Sequence, residues 1–171
     1  MASTKSSTTA LILCGKIPGH IEPMINLLRS DGYDVIHNVR TLPSALLELP
    51  ALLRTTVGCE TQPPSSGFGS NATAASAEDR TPGSEVKAVV VGGGYSPEEF
   101  EEIKGACDGV KELPFFRADV TKKRSDGQEA QGGAAGPPPV EELKGRLVQA
   151  LKAADTAAGE GGGWQPGVYL F

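Results

Sequence analysis

Residues 86–99 read Val86-Lys87-Ala88-Val89-Val90-Val91-Gly92-Gly93-Gly94-Tyr95-Ser96-Pro97-Glu98-Glu99. A β-branched run, a cluster of glycines, and then serine, proline and acids describe a strand, a tight turn and the start of a helix. The valines suit a strand buried on both faces of a parallel sheet. Ser96 is a helix cap, and Pro97 fits the first helical position, where a missing N–H costs nothing. Glu99 stands where a capping box returns a hydrogen bond to the serine backbone. A strand that feeds a helix through such a turn is the repeating unit of α/β folds.

The same unit recurs on both sides. Toward the amino end, Ala10-Leu-Ile-Leu-Cys14 is a short apolar run bounded by Gly15 and Pro18. Ile21, Met24, Ile25 and Leu28 then form one helical stripe that Gly32 can end. Tyr33 to Val39 gives a second strand, and Leu42, Leu46, Leu49 and Leu53 keep helical spacing. Pro50 is expected to kink or break that helix near its end, because it has no amide proton. Toward the carboxyl end, Phe100, Ile103 and Cys107 line a helix closed by Asp108-Gly109, and a strand follows around Leu113 to Arg117. Val140, Leu143, Leu147 and Leu151 mark a further helix, and Gly167-Val-Tyr-Leu-Phe171 an edge strand.

Strands alternating with helices predict a three-layer α/β/α sandwich around a five-stranded, mostly parallel sheet, flavodoxin-like or Rossmann-like. The 171 residues fit one such domain. Flexible inserts are expected at about 57–84, 125–139 and 159–163, where few apolar residues offset the entropy of ordering. With the strand order 2-1-3-4-5, winding reverses between the first and third strands, and ligands collect at the carboxyl ends beside that reversal. The loops from Cys14 to His20 and from Gly92 to Ser96 flank it, with Arg117 to Lys123 as a third wall.

The loops carry several chemical candidates. His20 carries an imidazole able to give or take a proton and is placed to act as general acid or base, or else is a surface histidine at a helix end. Asp119 is placed to orient it, and Arg117 to hold an acyl or phosphate oxygen, unless the two pair with each other at the sheet rim. Gly92, Gly93 and Gly94, with Tyr95 and Ser96, are expected to bind substrate, their amides cradling an oxyanion. Glu98, Glu99, Glu101 and Glu102 would repel a pyrophosphate there. Cys14 is a possible nucleophile or a small core residue. His37 reads as structural.

Exclusions narrow the class. A net charge of −5 leaves no basic field for nucleic acid. No apolar run is long enough to span a bilayer, and the polar start lacks a secretory design, so a cytoplasmic protein is expected. Cys14, Cys59 and Cys107 are widely spaced and only two histidines accompany them, which indicates neither a disulfide framework nor a metal site. No cofactor is expected: Gly15-Lys-Ile-Pro-Gly19-His20 departs from both the dinucleotide fingerprint and the P-loop. Arg40 is the only support for a 2′-phosphate, and Gly92 stands where a phospho-receiver needs an acid.

Two resemblances bear on function. The stretch Ile17 to Val35 is similar to the opening βαβ of two-domain glycosyltransferases, in which the histidine after the first strand serves as base; sugar transfer is not carried over. Leu11-Ile-Leu-Cys-Gly-Lys16, Val89-Val-Val-Gly-Gly-Gly-Tyr-Ser-Pro-Glu-Glu-Phe100 and Pro114-Phe-Phe-Arg-Ala-Asp119 together resemble small Rossmann-like proteins of filamentous fungi. Some members are encoded beside polyketide synthases and are thought to close pyrone or lactone rings. That resemblance implies a cofactor-free cyclase acting on a small molecule, free or carried by the synthase. A non-catalytic binding module and an NADP-dependent reductase are the alternatives.

Overall fold

The computed structural model describes residues 8–122, 138–159 and 163–171. Five strands, β1 (Thr9–Cys14), β2 (Tyr33–Val39), β3 (Ala88–Val91), β4 (Pro114–Arg117) and β5 (Gly167–Leu170), form one sheet in the order β2-β1-β3-β4-β5. All neighbours run parallel. Helices α1 (Pro18–Ser30) and α5 (Val140–Ala158) cover one face, α2 (Leu42–Leu53) and α4 (Pro97–Cys107) the other, and α3 (Ser70–Thr73) is a single turn. The three-layer, flavodoxin-like sandwich and its switch point between β1 and β3 are therefore as expected.

Alternation along the strands divides the core. Ala10, Ile12 and Cys14 of β1 face α2 and α4, while Leu11 and Leu13 face α1 and α5. Each strand that lies between two others is apolar on both sides, because helices take both faces. Phe100 of α4 meets Phe115 of β4 edge to face at 6.0 Å, and Phe116 stacks on Tyr169 at 5.1 Å across the sheet's other side. Helix α4 starts as the sequence requires. Ser96 Oγ accepts from the Glu99 amide at 3.1 Å, and the Glu99 carboxylate accepts from the Ser96 amide at 2.8 Å.

Two expectations change. Pro50 does not break α2, which continues to Leu53 with the proline buried; burial of Leu49, Leu52 and Leu53 outweighs one forgone backbone bond. The stretch 57–84 is not a loose insert but a strap along the outer edge of β2. The Asn38 amide donates to Phe68 O at 3.2 Å, Ser66 Oγ donates to Asn38 O at 2.7 Å, and Ser70 Oγ donates to Asp34 at 2.8 Å. Arg80 donates to the carbonyls of Asn71 and Thr61, and Asn71 exchanges bonds with Thr81. Polar side chains satisfy the strap's backbone where apolar residues are scarce. Of the other expected inserts, residues 125–137 and 160–162 lie outside the described residues.

Candidate functional site

Backbone hydrogen bonds carry the sheet ladder past the strand ends and bring the three loops together. Gly15 N donates to Val39 O and Gly92 N to Cys14 O, each at 2.9 Å, and Ala118 N donates to Val91 O at 3.0 Å. The glycine turn threads between its neighbours. A Cβ on Gly94 would lie 3.3 Å from Lys16 Cβ, and one on Gly93 would lie 3.0 Å from Val120 Cγ1. Small residues are needed for that passage.

Lys16 ties the first loop to α4. Its ammonium donates to both oxygens of Glu99 at 2.7 Å and lies 4.6 Å from the centre of the Tyr95 ring. The hydrogen bond from Lys16, then that from the Ser96 amide, holds the Glu99 carboxyl below the usual range. The amino end of α4 is thus closed by its own box and a lysine. Helix α1 differs: Ile17 at its cap offers no side-chain acceptor, and its first turn holds no acid.

The predicted residues fare unequally. Cys14 is fully buried, and burial pushes its thiol up strongly, so it is core and not a nucleophile. Tyr95 is 4 % exposed with its hydroxyl donating to Val39 O at 3.3 Å, which makes it a prop under the turn. Asp119 does not orient His20. Its carboxylate accepts from Thr121 Oγ1 at 2.6 Å and from the Thr121 amide at 3.0 Å, and these bonds hold it below its ordinary range. Arg117 does not pair with Asp119 but lies 4.7 Å over the Phe100 ring. Ser96 is committed to its cap, and the Gly92 amide to Cys14.

Besides the Arg117 guanidinium over the Phe100 ring, three groups remain available. The half-buried His20 side chain and the amides of Gly93 and Gly94 have no hydrogen-bond partner among the described residues. They stand on the two sides of the switch, His20 in the first turn of α1 and the glycines in the loop after β3. The Lys16–Glu99 latch escaped the sequence reading, although a lysine after β1 and an acid in the first turn of α4 are the signal for it. Among the described residues no group of His, Cys, Asp and Glu is placed to hold a metal ion, and no helix is long and apolar enough to cross a membrane. No protein-family model matches the chain, and no match was found among curated proteins or solved structures.

Proposed function

We propose that the chain is a small cytoplasmic enzyme of polyketide metabolism that closes a lactone or pyrone ring at the β1/β3 switch point. The observation that carries this is the pattern of engagement there: His20 and the Gly93 and Gly94 amides have no hydrogen-bond partner among the described residues, while Cys14 is core, Tyr95, Ser96 and Asp119 are bonded elsewhere and Arg117 lies over Phe100. The substrate class comes from the resemblance of the three strand-end segments to fungal proteins encoded beside polyketide synthases.

Ring closure needs a base and an oxyanion cradle. His20 takes the proton from an enol or hydroxyl oxygen, which attacks the thioester carbonyl of the same chain. The Gly93 and Gly94 amides receive the negative charge that forms on that carbonyl oxygen. Collapse expels the thiolate, which recovers the proton from His20, so that one C–O bond forms, one C–S bond breaks and a thiol leaves. Each contribution is worth roughly 10²-fold or more. The open amino end of α1 also suits a developing negative charge better than the closed, acidic start of α4.

The test is pyrone formation from a short poly-β-keto thioester. Wild type should accelerate it, and His20→Gln should retain about 1 % of that rate or less with an unchanged circular dichroism spectrum. Equal rates would refute the role of His20. A second reading, a non-catalytic small-molecule-binding module, is favoured by the commitment of Asp119 to Thr121, which leaves His20 with no carboxylate bonded to it among the described residues; binding of the pyrone without turnover would select it. The NADP reductase alternative predicts stabilisation by about 2.7 kcal/mol at 100 times Kd of NADPH.

A further inference from the structure

The two edges of the sheet are finished differently. At β2 the strap supplies partners for the outward backbone groups of Asn38 and lays Gly69 against Ile36 and His37. At β5 no described residue pairs with the outer side. Bonds on its inner side fix which groups point outward. The Phe171 amide donates to Arg117 O at 3.1 Å, and Phe171 O accepts from the Asp119 amide at 2.8 Å. Consecutive residues of a strand direct their N–H and C=O to opposite sides. Tyr169 and Gly167 therefore also turn to β4, whereas Val168 and Leu170 turn their N–H and C=O away from the sheet.

The same two residues carry exposed apolar side chains, Val168 at 46 % and Leu170 at 56 %, on the face opposite Tyr169. Edges are ordinarily protected by a charge, a proline or a bulge within the strand, and Gly167-Val-Tyr-Leu has none of these. From Trp164 to Phe171 no side chain is charged, although the chain has a net charge of −5. When two copies meet here, this segment sets no charged side chains opposite each other.

We propose that a second copy of this chain pairs with β5, the two strands running antiparallel about a two-fold axis at Tyr169. The register follows from the outward groups. Val168 of one copy stands opposite Leu170 of the other, each pair exchanging both N–H···O bonds, and Tyr169 faces its own counterpart in a non-hydrogen-bonded position. Residues directly opposite in antiparallel strands share a face, so each exposed valine is covered by an exposed leucine. The interface is isologous and closes as a dimer with one continuous sheet.

Sedimentation velocity on the full chain tests this. Wild type should show a concentration-dependent monomer–dimer equilibrium, and Leu170→Asp and Val168→Lys should each be monomeric with an unchanged far-ultraviolet spectrum. In a Cys59→Ser background, Val168→Cys mixed with Leu170→Cys should form a disulfide between copies under mild oxidation, and either variant alone should form much less. Three results would overturn the proposal: a wild type that stays monomeric into the sub-millimolar range, a dimer that survives both charged substitutions, or cross-linking indifferent to the 168–170 combination. Because Val168 and Leu170 project outward, the cysteine variants keep the test available if a charged variant fails to fold.

Discussion

His37 and His20, the only histidines of the chain, differ in what surrounds them. His37 is 2 % exposed on β2, with Nε2 2.8 Å from the Glu48 carboxylate, which also accepts from Ser65. Its Nδ1 is buried with no hydrogen-bond partner among the described residues. Burial lowers the pKa of His37, and Glu48 offsets only part of that. A depressed folded-state pKa means that the unfolded chain takes up the proton first. The resulting stability is full above the ordinary value of about 6.5 and is lost as pH falls through the folded value. Melting curves should therefore show stability dropping as pH falls below about 6.5, and His37→Gln should flatten that dependence. The sequence marked His37 as structural because it sits mid-strand. It left Cys14 open between nucleophile and core residue, and Asp119 between orienting His20 and pairing with Arg117, because a position at a strand end does not reveal a side chain's partner. The cysteines give a second check. Burial lifts the thiol of Cys107 to about 12 and that of Cys14 further, whereas hydrogen bonding from Thr56 lowers that of exposed Cys59. Native protein should alkylate at Cys59, with Cys14 and Cys107 labelled only after unfolding.

Elements were legible where their signal is local. The capping box at Ser96 and Glu99 was complete in the sequence, and removing it with Ser96→Ala should cost about 1 kcal/mol, lowering Tm by about 2–4 °C. The strap was not legible, because apolar periodicity detects helices and strands that bury one face. The strap instead depends on Ser66 and Ser70 reaching Asn38 O and the Asp34 carboxylate on β2, and on Asn71 and Arg80 bonding backbone groups within the strap. Gly69 is where it packs against the β2 backbone. It has φ of 111°, and a Cβ there would stand 2.6 Å from Ile36 O. Gly69→Ala should destabilise by about 1–3 kcal/mol from the backbone conformation alone, before the clash is counted. Chemical denaturation of this variant beside wild type measures the loss.

At the scale of the molecule, the sheet order and the switch point were readable because alternating strands and helices leave few topologies for a parallel sheet. The contents of the switch point were only partly readable. The glycine turn and His20 were, whereas the Lys16–Glu99 latch and the stacking of Arg117 on Phe100 depend on how α4 docks. The latch is half-exposed, so Lys16→Met should change global stability by roughly 1 kcal/mol or less. Its effect should appear locally, as faster amide exchange at Ser96, whose N–H donates to the carboxylate that the lysine holds. The proposed cyclisation requires a ligand at this end of the sheet. The most direct measurement is amide chemical-shift mapping during titration with a simple pyrone. Perturbations centred on His20, Gly93 and Gly94 are predicted, whereas saturable binding that leaves those amides unmoved and shifts another surface would contradict it.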